Sequence, residues 1–171
     1  PLLTCNKENC FKKKYSTKET VGKCEGYVRY GIHSTVEFKF IVNGKEYTCY
    51  SAYNLYFHQP KDEFYVLYDI EDPTNNILLL RKPVIPKNIS KTYGYIEEIE
   101  VDKKNEIIKV KLKYSYLSSI NMIRYQYFHI NQYSILEYLS KVKKKVIIDV
   151  VPENSYRAFL NINETKKELI N

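Results

Sequence analysis

The residues able to do chemistry are few and spread along the chain. Three histidines occur, His33, His58 and His129. A histidine acting as general base needs a converging acid or nucleophile, and no spacing here supplies one. His58 and His129 follow Phe57 and Phe128, and each Phe-His pair reads as the end of a third strand. Asp69 and Asp149 each follow an apolar run and precede a proline. Two such carboxylates do acid–base work only if brought together, and in separate modules they read as turn caps. The five glycines form neither a dinucleotide fingerprint nor a phosphate loop. No catalytic, cofactor-binding or metal residue is assigned, and a non-enzymatic protein is expected.

Four cysteines, Cys5, Cys10, Cys24 and Cys49, lie in the first third of the chain. They lack the paired Cys-x-x-Cys spacing of a zinc ribbon or finger. Their even number suits disulfides of an oxidising compartment. Cys24 and Cys49 are both expected to face the core, as a disulfide or as two buried thiols, with Cys5–Cys10 as the second bridge. Asn88-Ile89-Ser90 and Asn163-Glu164-Thr165 match the glycosylation acceptor pattern, which matters only in a eukaryotic secretory pathway.

The remaining chemistry is cationic. Lys109, Lys111 and Lys113 alternate with Ile108, Val110, Leu112 and Tyr114, so one strand face is core and the other a lysine ladder. Lys141, Lys143, Lys144 and Lys145 follow. These seven lysines are the expected partner-binding surface. Phosphate contacts would need stacking aromatics beside them, but Tyr114 and Tyr116 fall on the opposite, buried face.

The elements that must position these residues are mainly β. Val36, Phe38, Phe40 and Val42 share a strand face and Asn43-Gly44 follows, the signature of a type I′ hairpin over 34–53. A two-residue loop sets Val42 opposite Lys45, Phe40 opposite Tyr47, Phe38 opposite Cys49 and Val36 opposite Ser51. A similar order of landmarks recurs. Gly26-Tyr27-Val28, an alternating strand, a turn, Phe57-His58 and Val66 to Asp69 match Gly94-Tyr95-Ile96, a strand to Leu117, Phe128-His129 and Ile147 to Val151. Duplication explains the preserved order. Ser134 to Val142 is inserted in the second copy, with Ile135, Leu136, Leu139 and Val142 at helical spacing. The expected organisation is a leader over 1–21, a first β module over 22–85 and a second over 86–171. Residues 161–171 form a short helix or fray.

The charge is +7 and uneven. Residues 86–171 hold fifteen basic and ten acidic groups, whereas residues 21–85 hold seven and eight. Eighteen tyrosines and no tryptophan suit β surfaces, where the ring covers the sheet and the hydroxyl reaches water. No apolar stretch has the length of a membrane span. The chain starts at Pro1, so a signal or anchor upstream is expected to have been removed.

Gly26-Tyr27-Val28, Phe40 to Tyr47 and Val66 to Pro73 together resemble a family of small β-barrel domains of unknown function in bacterial membrane and envelope proteins. The resemblance covers about residues 22–85 and extends to the second copy by analogy. It implies two tandem small SH3-like β-barrels, or strongly bent antiparallel sheets, and an extracytoplasmic location. It supplies no catalytic residues. The expected function is a protein-binding role, in one concrete form an immunity protein neutralising a bacterial toxin. The alternative is a binder of nucleic acid or another anionic polymer through the basic face of the second module.

Overall fold

A computed structural model describes residues 6–30, 33–52 and 56–170, which fall into two compact units, Pro1–Val84 and Ile85–Asn171. The chain is mainly β, with one five-stranded antiparallel sheet in each unit.

The first unit contains α1 (Lys7–Lys14), β1 (Thr17–Tyr30), β2 (His33–Val42), β3 (Lys45–Ala52), β4 (Glu63–Asp69) and β5 (Asn76–Pro83), with sheet order β3-β2-β1-β4-β5. The β2–β3 hairpin has the expected register, from Val42 opposite Lys45 to Val36 opposite Ser51. Asn43 and Gly44 both have positive φ, 51° and 78°, as a type I′ turn requires. Val36, Phe38 and Phe40 are buried, and Phe38, Phe57, Phe64 and the His58 ring pack edge-on around one another.

The N-terminal segment read as a leader is structured from Asn6. Asn6 caps α1 by accepting from the Asn9 amide at 2.8 Å, and Glu8 ties the helix to β5 through Arg81 at 2.6 Å. Burial raises the Glu8 carboxyl pKa, but Lys12 and Arg81 outweigh this and hold it below its ordinary value. Residues 17–21 belong to β1 and pair with β4. Helix α1 has no buried residue, so it lacks the apolar stripe by which a sequence announces a helix.

Of the two alternatives for Cys24 and Cys49, the structure has the buried thiols and no disulfide. Cys24 lies opposite Phe38, and Phe38 lies opposite Cys49, so the cysteines flank the central phenylalanine from two different strands. Two strand spacings of about 4.8 Å each exceed the roughly 7 Å Cα limit for a bridge. Both residues are buried, and burial pushes the Cys49 thiol pKa up to about 12. Cys5, the partner expected for the exposed Cys10, lies outside the described residues.

The second unit contains β6 (Ser90–Asp102), β7 (Ile107–Tyr116), β8 (Ser119–His129), a single 3₁₀ turn over Ile130–Gln132, α2 (Tyr133–Lys141), β9 (Val146–Val151), β10 (Asn154–Leu160) and α3 (Ile162–Ile170). Its sheet order, β10-β9-β6-β7-β8, repeats that of the first unit strand for strand. The edge strands β8 and β10 approach each other, and the Leu160 amide donates to Gln126 Oε1 at 2.7 Å, so the sheet is nearly a barrel. Ile108, Val110, Leu112, Ile148 and Val150 fill it, and Leu136 and Leu139 of α2 are fully buried in the same core. The expected helical insertion thus lies one residue earlier than its sequence bounds, with Val142 exposed at its C-cap.

The repeat is real in topology but out of phase with the sequence match. In each unit one long strand pairs with a different neighbour along each half and carries a bulge, between Cys24 and Gly26 in β1 and between Ile96 and Glu98 in β6. Counting from the bulges, Gly94 corresponds to Gly22, not to Gly26. A Cβ on Gly22 would stand 2.7 Å from Val66 Cγ2, and one on Gly94 would stand 2.6 Å from Ile148 Cδ1. Both glycines mark the point where the long strand changes partners and its neighbours in the sheet stand too close for a side chain.

The other paired landmarks separate as well. His58 is buried after β3, with Nε2 3.1 Å from Ser51 Oγ, whereas His129 ends β8 and its Nδ1 accepts from the Asn131 amide at 3.2 Å. Asp69 ends β4 and accepts from the Glu71 amide at 3.3 Å, a turn contact as expected. Asp149 lies within β9, opposite Lys91 and Phe159, and caps no turn.

Candidate interaction surface

The lysine ladder exists because β7 alternates. Ile108, Val110, Leu112 and Tyr114 enter the core, which sends Lys109, Lys111 and Lys113 outward. Pairing with β6 then sets what they meet. Lys109 stands opposite Glu100 and bonds it at 2.9 Å. The β6 bulge turns Glu97 toward the next two lysines, 2.8 Å from Lys111 and 4.0 Å from Lys113. On the β8 side Lys109 faces Tyr127 and Lys111 faces Tyr125, and the Lys109 ammonium sits 4.4 Å from the Tyr125 ring centroid.

This changes the electrostatics of the face. Its three lysines are interleaved with two glutamates, so it is patterned in charge rather than uniformly basic. Lys109 and Lys111 have side chains only 22% and 23% exposed, against 45% for Lys113. The hydrogen bond that Lys109 donates to Glu100 raises the Lys109 pKa, and the one that Lys111 donates to Glu97 raises Lys111. The same bond holds the Glu97 carboxyl below its ordinary value. Lys109, Lys111 and Glu97 are therefore charged at neutral pH, and the sheet holds their positions.

The remaining lysines of the expected surface are distributed otherwise. Lys141 pairs with Glu137 one helical turn earlier at 2.9 Å, and Glu137 also accepts from the Tyr133 hydroxyl at 2.7 Å. Together these bonds lower the Glu137 pKa. A shallow groove of about 280 Å³ separates α2 from the β6 bulge and is lined by Glu97, Glu98, Tyr133, Glu137 and Lys141 among others. Lys141 and the ladder thus border one groove through their glutamate partners. Lys143, Lys144 and Lys145 are exposed in the turn leading into β9, and none has an ion pair among the described residues.

A second polar cluster fixes α3 on the outer face of β6 and β9. Lys91 reaches Glu164 at 2.6 Å, the Tyr93 hydroxyl donates to Glu168 at 3.1 Å, and Thr165 Oγ1 accepts from the Ile147 amide at 3.0 Å. Asp149 is buried beneath, with Oδ2 accepting from Asn161 Nδ2 at 2.9 Å and Oδ1 without a hydrogen bond. Burial raises its pKa. Thr165 of the second glycosylation pattern is thus consumed by the fold.

Several of these residues escape sequence reading. Glu97 becomes the hub of the ladder only because of a bulge, whereas Glu137 and Lys141 were legible as an i, i+4 pair. On β8 the inward row is Met122, Arg124, Gln126 and Phe128. Arg124 is 2% exposed and its guanidinium lies 5.9 Å from the Phe159 ring. The alternation of Met122, Arg124, Gln126 and Phe128 with tyrosines was the available signal, but two polar residues in that row disguised it. Tyr114 is buried as expected, its hydroxyl donating to the Ser155 carbonyl at 2.7 Å.

Among the described residues no group of three or more His, Cys, Asp or Glu side chains is placed to hold a metal ion, and no helix is long and apolar enough to cross a membrane. Comparison of the chain with protein-family models, curated proteins and solved structures finds no match.

Proposed function

We propose that this is a non-enzymatic interaction protein that binds a protein partner through the outer face of β6, β7 and β8. The observation carrying this reading is the fixed alternation of Lys109, Lys111 and Lys113 with Glu97 and Glu100, flanked by Tyr125 and Tyr127. A surface of both signs with aromatic area between them suits a partner of reciprocal pattern, since such complementarity selects partners and suppresses wrong ones. A polyanion would have to displace the glutamates. The concrete form of this reading is an extracytoplasmic immunity protein that neutralises a bacterial toxin. Its support is the patterned face of the second unit and the envelope-domain resemblance of residues 22–85. Cys24 and Cys49 lend nothing to an oxidising compartment, because they lie on either side of Phe38.

The test is a charge exchange, Glu97→Lys with Lys111→Glu. It keeps the ion pair inside the protein and inverts the pattern shown to a partner. Affinity capture from the native organism is expected to recover a stoichiometric protein with the wild type and to lose it with the exchange. Capture undiminished by the exchange would refute the reading. A second reading, binding of nucleic acid or another anionic polymer, rests on Lys143, Lys144 and Lys145, which are exposed and have no carboxylate partner among the described residues. It requires affinity that falls steeply with salt, and flat salt dependence removes it.

A further inference from the structure

We propose that the β7–β8 hairpin tip is a lipid-contacting finger that places Leu117 and Ile120 in the interfacial region of an anionic bilayer. Leu117 is 85% exposed and Ile120 73%, more than any other large hydrophobic side chain among the described residues. Nothing in the fold asks for them. Leu117 occupies the first turn position with φ of 52°, where the first unit has Asn43 at 51° followed by Gly44. The left-handed region suits asparagine and glycine and penalises a branched apolar residue. A leucine there is therefore a cost to folding that packing does not return, since the side chain stands in water. Strain held at an exposed apolar position points to a contact outside the fold.

The bilayer is the occupant these observations favour. The tip is the convex end of a hairpin, and a fluid apolar phase receives a convex tip without a matching pocket. Residues 117–121, Leu-Ser-Ser-Ile-Asn, contain no carboxylate to repel lipid phosphates. The unit behind them has fifteen basic and ten acidic groups, with Lys113 half-exposed on the same hairpin and Lys143, Lys144 and Lys145 outside any ion pair among the described residues. That excess is complementary to an anionic surface and attracts it within a Debye length, about 8–10 Å. Two aliphatic side chains and a dispersed positive charge make a reversible contact rather than an anchor.

The experiment is co-sedimentation of the full chain with vesicles of phosphatidylcholine alone and of phosphatidylcholine with 30 mole per cent phosphatidylglycerol, a composition of about one anionic lipid in three. Wild type is expected to bind the mixed vesicles and to bind the neutral ones at least tenfold more weakly. Leu117→Asn, and separately Ile120→Asn, should weaken binding to the mixed vesicles about tenfold. The first should leave the melting temperature unchanged or raise it, because asparagine suits the turn. Failure of wild type to sediment with the mixed vesicles overturns the proposal. So does undiminished binding by both variants, which would assign the contact to charge alone. A photoactivatable side chain at position 117 that crosslinks in cells to protein and not to lipid overturns it too. Crosslinking to lipid supports it.

Discussion

Replacing Gly22 and Gly94, the two glycines crowded by neighbouring strands, by alanine should give very unequal results. At Gly94 the added Cβ would stand 2.6 Å from the Lys113 carbonyl oxygen, 2.6 Å from Ile148 Cδ1 and 2.9 Å from Tyr114 Cβ. Ordinary carbon contacts are about 3.5–4.0 Å, so the groups must part by nearly 1 Å. One of them is the backbone of β7, which is paired with β6 along its length and cannot move alone. At Gly22 the only close atom is the Val66 methyl at 2.7 Å, and the nearest backbone oxygen, of Lys39, is at 3.8 Å. Overpacking costs about 1–3 kcal/mol and occasionally more, and Gly94→Ala belongs at or beyond the top of that range. For Gly22→Ala a rotation of Val66 relieves most of the clash, and alanine returns about 0.4–1 kcal/mol by restricting the unfolded chain, so the net loss is about 1 kcal/mol or less. Urea unfolding followed by far-ultraviolet circular dichroism gives the size, and native-state hydrogen exchange of β6–β7 against β1–β4 gives the location. Equal losses, or a larger loss at Gly22, would refute the account of these two contacts.

Asp149→Asn should stabilise the protein at pH 7. The folded pKa of Asp149 is raised by burial, so its favourable contribution is complete below the unfolded pKa, about 3.9, and is lost as pH rises through the folded value. The variant's advantage should therefore grow from pH 4 upward in thermal melts, and an advantage independent of pH would contradict this. Leu136→Ala removes a fully buried side chain where α2 meets the core and should cost about 2–5 kcal/mol in urea titration; a loss under 1 kcal/mol would place α2 outside the core. Cys49 should resist alkylation at pH 8 until the chain unfolds, because its thiol stays protonated and covered. A Cys24–Cys49 linked peptide in a non-reducing digest would show the packing around Phe38 to be wrong.

What the sequence made legible is what depends on neighbours along the chain. Asn43-Gly44 sets a turn and a register at once, so every pair from Val42–Lys45 to Val36–Ser51 could be read in advance. The β7 alternation likewise showed Ile108 inward and Lys109 outward. The partners of the lysines were not legible, because Glu97 reaches them through a bulge that adds one residue without any mark in composition. The same bulges moved the true repeat by four residues, since a Gly-Tyr-aliphatic match is local while strand correspondence depends on where chains cross. Asp149 looked like a turn residue because Pro152 follows it closely, yet two more residues of sheet and the packing of α3 lie between that impression and its burial. Helix α1 is held by Glu8–Arg81, a contact 73 residues apart in sequence that no window can detect.

The second sheet is a ribbon rolled up and fastened by a clasp. Its edge strands meet through Gln126 and the Leu160 amide instead of a ladder of main-chain bonds. A clasp opens at the expense of few bonds, so the seam is where partial unfolding begins and where exchange of core amides gains entry. It also has a protective use. Two bare strand edges would invite pairing with other chains, and curling them against each other under a side-chain amide conceals both without committing either to a permanent partner.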